Sequence, residues 1–134
     1  MIESYLENAV SFSGLPLEKL RSLPYGVYVL DKDWNYLCVS DYVPKNLGIS
    51  EQLEGQNMWV RFPALKTDMA FMTLKKNSEL GLKSNFTTTS PLTSQKLHIV
   101  SFVLQDCYVV FSLKQSDKTD LIDELRQAMA KKNS

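Results

Sequence analysis

Apolar residues recur along this chain at two spacings, one helical and one alternating. Ile2, Tyr5, Leu6, Ala9 and Val10 fall at i, i+3, i+4, i+7 and i+8, which predicts a helix over 2–10 with one apolar stripe. Ser11 to Gly14 interrupt it. Pro16 suits a helix start, Leu17 and Leu20 share a side, and Pro24 stops the turn. The runs GVYVLD at 26–31 and YLCVS at 36–40 are β-branched and aromatic. With Asp33, Trp34 and Asn35 between them they predict a hairpin. Residues 41–48 read as a short helix with Asp41 as N-cap, Pro44 near its start and Gly48 as stop. Ser50 to Gly55 suggest another short capped helix over 50–57. Residues 64–80 are the most helical central stretch. Leu65, Met69 and Met72 run along one side, with Ala70, Phe71 and Leu74 beside them and Gly81 as stop.

The period then changes. Residues 84–90 are rich in Thr and favour a strand, and 96–105 and 107–114 are longer strands joined at Gln105 and Asp106. Both are apolar on both faces, so both sides of the sheet need cover. The central helices supply one side, and the opening helices or a partner chain the other. Residues 117–132 predict a terminal helix, capped by Asp117 or Thr119, with acids leading and lysines trailing. Leu121, Leu125 and Ala128 resemble the start of a heptad seam, although a surface helix packed on its own domain fits equally.

This order predicts an α+β domain with an antiparallel sheet and helices clustered in the middle. Several segments carry a family resemblance. Leu23-Pro24-Tyr25-Gly26 followed by an apolar strand and Asp31 resembles the opening strand of a PAS domain. Leu47-Gly48 is similar to the close of that family's first short helix. Glu54-Gly55-Gln56-Asn57-Met58-Trp59 followed by Phe62-Pro63 resembles its next segment. The last two strands and a Leu-rich helix resemble its exit into an output domain. The resemblance implies a sheet of about five strands in the order 2-1-5-4-3, with short central helices and flanking terminal helices. The corresponding organisation is flanking helices at 1–22, a PAS-like domain at 23–116 and a signalling helix at 117–134. Trp34 stands where the family often has Gly, Ser40 where it often has Asn, and the Asp-Ile-Thr that often ends its last strand is replaced by Lys114-Gln115-Ser116.

Composition narrows the function. The 134 residues are 44% hydrophobic and 22% charged, which fits one globular domain. Fifteen basic and 15 acidic side chains cancel, which argues against nucleic acid as a partner. Residues 1–60 are net acidic and 61–116 net basic, a dipole that either orients a partner or is only solvated surface. No apolar run approaches the ~18–20 residues that span a bilayer, and the acidic start is unlike a secretory signal. The expectation is a cytoplasmic domain. Two cysteines, Cys38 and Cys107, and one histidine, His98, are too few for a disulfide framework or a zinc site.

No constellation favours catalysis. His98 sits between Leu97 and Ile99 on a strand, and Cys107 on the next reads as a structural thiol. No glycine cluster cradles phosphate, and Asp31 and Asp33 flank a turn where Asp is expected. Members of the family that form a flavin adduct resemble Gly-x-Asn-Cys-Arg-Phe, and here Met58 holds the cysteine position. A thioether supplies no ionisable thiol, so no flavin adduct is expected. Haem-binding members place an axial histidine on or near the long central helix, and 64–80 has none. No cofactor is therefore expected. Met58, Trp59, Phe62, Met69, Met72 and Phe86 lie on segments that wall the cavity in PAS-like folds, and form either a small-ligand site or a filled core.

The reading is a regulatory module, not an enzyme. It binds a small apolar ligand or partner and relays a signal through a homodimer and its exit helix. The dimer interface would use Ile2, Tyr5, Leu6, Val10, Leu121 and Leu125. The resemblance implies an output domain, such as a histidine kinase or diguanylate cyclase, in a longer parent chain. Alternatives are a ligand-free dimerisation adaptor and a small α+β isomerase-like domain.

Overall fold

The computed structural model describes residues 9–114. The expected helix over 117–132, with Leu121 and Leu125, and most of that over 2–10, with Ile2, Tyr5 and Leu6, lie outside the described residues. Of the opening stripe, Ala9 is buried and Val10 is 68% exposed, and neither is helical.

Five strands form one sheet: β1 (Gly26–Asp31), β2 (Tyr36–Val39), β3 (Ser84–Thr89), β4 (Lys96–Val103) and β5 (Cys107–Lys114). Their order is β2-β1-β5-β4-β3 and every neighbouring pair is antiparallel. The α+β fold expected from the sequence is the fold observed. Among the described residues four α-helices accompany the sheet: α1 (Leu17–Arg21), α2 (Tyr42–Leu47), α3 (Met58–Arg61) and α4 (Met69–Glu79), with 3₁₀ turns at Phe12–Gly14 and Pro63–Thr67. Among the described residues no helix is long and apolar enough to cross a membrane.

Alternation along the strands divides the core into two layers. Val27 and Val29 of β1, Val100 and Phe102 of β4, and Val109 and Phe111 of β5 face one side. Phe102 and Phe111 meet edge to face, with centroids 6.0 Å apart. Cover for this layer includes the opening segment, through Ala9, Leu15 and Leu20 with Phe12 and Leu17 beside them. Backbone bonds strap that segment to the β4–β5 turn. Gln105 N donates to the Val10 carbonyl at 2.9 Å and Phe12 N to Asp106 Oδ1 at 2.8 Å. Tyr28, Leu30, Ile99 and Val110 face the other side, under α2, α3 and α4.

Three local expectations need correction. Residues 50–57 form no helix. Their backbone instead pairs with β2: Tyr36 N donates to the Gln56 carbonyl at 2.9 Å, and Gly55 N to the Tyr36 carbonyl at 2.8 Å. The stretch 64–80 is not continuous. It breaks at Asp68, whose carboxylate accepts from Phe71 N at 3.1 Å and so starts α4 afresh. Asp41 precedes α2 but its side chain makes no capping bond. Gly48 does end α2, at φ 70°, where a side chain is disfavoured.

Two of the three departures from the family pattern have structural roles. Trp34 takes φ 71° in the β1–β2 turn, a conformation strained for a bulky residue. Its indole is buried, packs 4.6 Å from Tyr108 and 5.2 Å from Trp59, and donates to Glu79 Oε2 at 3.0 Å. Those contacts hold the strained turn. Ser40 accepts from Val27 N at 3.1 Å and donates to the Tyr25 carbonyl at 2.8 Å, tying the end of β2 to β1.

Candidate ligand-binding site

A cavity of about 70 Å³ lies between the inner face of the sheet and the helices. Its origin is a cross-strand pair of small residues. Gly26 opposes Ser112 in the β1–β5 register, and both line the cavity. A Cβ built at Gly26 would meet the Ser112 carbonyl oxygen at 3.0 Å and its Cβ at 3.2 Å, so the strands close up there and leave that patch of sheet bare. The volume exceeds the share of a single water, about 30 Å³, and is well under the ~300 Å³ of a drug-sized pocket.

The walls are mixed. Met58 of α3, Phe62, Leu65 and Phe71 of α4 form an apolar side. Tyr28 of β1 and Tyr36 of β2 bring phenols into the same space, their rings edge to face at 6.1 Å. Burial raises both phenols well above the ordinary tyrosine value, so both keep their protons at neutral pH. The neighbouring Tyr28 adds to the effect on Tyr36, and a hydrogen bond with Ser112 partly offsets it on Tyr28. The rim is polar. Tyr42 and Asn46 of α2 are linked at 3.3 Å, and Asn46 Nδ2 donates to Gln95 Oε1 at 3.2 Å, joining α2 to the β3–β4 loop. Lys114 sits over the Tyr42 ring, 5.3 Å from its centroid.

Asn57 positions the apolar wall. Its Oδ1 accepts from Trp59 N at 3.1 Å and Val60 N at 3.3 Å, capping α3. Its Nδ2 donates to the Asp33 carbonyl at 2.8 Å and Asn35 Oδ1 at 3.2 Å, pinning α3 to the β1–β2 turn. Met58 is held inward as a result.

Of the residues expected to wall the pocket, Met58 and Phe62 line this cavity. Trp59 is buried in the same core layer but faces an open groove of about 520 Å³ on the outer side of α4. Met72 lies in that groove at 52% exposure, and Met69 is 82% exposed. Phe86 packs on the core without lining the cavity. The structure therefore does not bring Trp59, Met69, Met72 and Phe86 to the cavity wall. Tyr28, Tyr36 and Ser112 were missed. Tyr28 and Tyr36 lie on the two strands of the expected hairpin, but the Gly26–Ser112 pair joins residues far apart in sequence.

Other chemistry is weakly supported. Among the described residues no cluster of three metal-ligating side chains occurs. Cys38 and Cys107 are buried free thiols. Burial first, and then Asp106, push Cys107 up to about 12, opposite to what a nucleophilic thiolate needs.

The sheet order, the short helices on one face and the inner cavity invite comparison with solved structures. The photoactive yellow protein domain of the sensor histidine kinase Ppr from Rhodospirillum centenum superposes with TM-score 0.60 at 20% identity, over 76% of this chain and 95% of that one. This chain has the PAS fold. The PAS domain of Bordetella pertussis BvgS matches with TM-score 0.54 at 10% identity, over 85% of this chain and 93% of that one. The PAS domain of the Cronobacter turicensis quorum-sensing receptor RpfR, solved in complex with BDSF, matches at 0.52 and 11%, over 71% and 97%. No family model and no curated protein matches the chain.

Proposed function

We propose that this PAS-fold chain is a sensory module that takes a small molecule into the cavity beneath α2, α3 and α4. The carrying observation is the Gly26–Ser112 gap, an unfilled space in an otherwise closed core, flanked by buried phenols. Packed interiors leave few such voids. The RpfR domain, of the same fold, is a receptor domain solved with its ligand, which supports a binding role. β5 both floors the cavity and ends at Lys114, where the chain leaves the described region. A ligand that repacks β5 would bias the segment that follows it. The module acts as a homodimer through its terminal helices, in the cytoplasm, and passes its signal to an output domain such as a histidine kinase or cyclase. It carries no catalysis of its own. No flavin adduct or haem is part of the account, because Met58 lacks a thiol and α4 lacks histidine.

Native mass spectrometry of the full chain after incubation with a cell extract of small molecules tests this. Retention of a discrete adduct is expected, lost in Ser112→Leu, whose side chain fills the space opposite Gly26. A wild-type chain that retains nothing, or a Ser112→Leu chain that retains the same adduct, contradicts the cavity as a site.

A further inference from the structure

The cavity's polar groups define what it would hold. Tyr36 is 4% exposed and lines the cavity, yet its hydroxyl makes no hydrogen bond to another described residue. The wholly sealed side-chain atoms without a partner are different ones, Trp59 Nε1 and Ser78 Oγ among them. The Tyr36 hydroxyl is not one of those sealed atoms, and its residue lines the cavity. It is an address for an acceptor.

Tyr28 stands beside it on the adjacent strand. Its ring meets that of Tyr36 edge to face at 6.1 Å, and it lines the same cavity. A phenol carries one proton to donate. Two protonated phenols on neighbouring strands thus offer two donors to one small volume. Around them the walls are hydrocarbon and thioether: Met58, Phe62 and Phe71. Among the described residues the one charged lining residue is Lys114, at the rim and already engaged, and Arg61, whose charge reaches Tyr36, is paired with Glu51. An ion among the hydrocarbon walls would be poorly compensated.

We infer that the cavity selects a small uncharged molecule with an acceptor oxygen, a carbonyl compound such as a ketone, aldehyde or ester, whose oxygen takes hydrogen bonds from Tyr36 and Tyr28. This rests on the ligand-sensing reading above and adds the chemistry of the ligand. The alternative occupant is water, which could satisfy the same hydroxyls without selecting any solute.

The test compares cyclopentanone with methylenecyclopentane, the same shape with a CH₂ in place of the oxygen. Both are titrated into the full chain carrying ¹³C-methyl methionine and followed by NMR. Met58 reports the cavity, and Met69 and Met72 report the surface. The expected result is a saturable shift of Met58 without one at Met69 or Met72, with the ketone bound about 3- to 10-fold more tightly, the worth of one net hydrogen bond. In Tyr36→Phe, and in the second variant Tyr28→Phe, the ketone preference should fall towards one. Equal affinity of the two probes for the wild type, or a preference unchanged in both variants, overturns the carbonyl assignment and leaves the cavity as a binding site. Failure of both probes to move Met58 overturns the ligand-sensing reading with it.

Discussion

Replacing Asn57 by Ala should remove more stability than any exposed loop substitution. Ordinary surface changes stay within about 0.5 kcal/mol. Asn57 makes four hydrogen bonds, two as acceptor to the α3 amides and two as donor to the β1–β2 turn. Loss of an N-cap costs about 1 kcal/mol, within a range of about 0.5–2. The 2.8 Å bond to the Asp33 carbonyl adds about 1 kcal/mol, and the longer one to Asn35 rather less. The expected total is about 2–3 kcal/mol, a large part of the ~5–15 kcal/mol that holds a domain together. Asn57→Asp keeps the acceptor for Trp59 N and Val60 N but loses both donated bonds, so its loss should be about 1–2 kcal/mol, below that of Ala by the worth of the cap. Equilibrium urea unfolding reads both. With a slope typical of small proteins, the Ala variant should shift the midpoint by about 1–2 M at unchanged slope. A shift below about 0.3 M for Ala, or equal losses for Ala and Asp, refutes the role given to Asn57.

Three further outcomes follow from the same geometry. Leu74→Ala, at a fully buried site on α4, should cost about 2–5 kcal/mol in urea unfolding, while Met69→Ala on the same helix should stay within about 0.5 kcal/mol; comparable losses would place α4 wrongly. The Cys107 thiol keeps its proton in the fold up to about 12 and gives it up near 9 when unfolded, so the folded state binds more protons between those values and stability should fall as pH rises through them. The buried phenols act in the same direction, and Cys107→Ala should lessen the fall; a flat urea midpoint across that range contradicts the burial. Sedimentation equilibrium should give a two-chain mass for the wild type and a one-chain mass for Leu6→Glu with Leu125→Glu, and a wild-type monomer at tens of micromolar removes the dimer from the proposed function.

Much of this fold was legible because its signals are local. The β-branched and aromatic apolar runs of β1, β4 and β5 and the Gly48 stop depend on neighbours in sequence. The segment 50–57 was not legible, since its cross-strand backbone partner is Tyr36, at the start of β2. Met69 and Met72 were misplaced for a related reason. Their spacing from Leu65 assumes one continuous helix, and the break at Asp68 resets the phase, turning Phe71 and Leu74 inward instead. Both stripes are apolar, so hydrophobicity could not choose between them. The cavity itself depends on the pairing of Gly26 with Ser112, a register that no local pattern carries.

A crystal structure of the full chain with the molecule retained in the native mass measurement addresses the central claim most directly. The account predicts its density beneath α2, α3 and α4, over Gly26 and Ser112, against Met58 and Phe62, with an oxygen within hydrogen-bond distance of the Tyr36 hydroxyl. Density in the outer groove beside Met72, with the inner cavity unchanged and empty of it, would contradict the account.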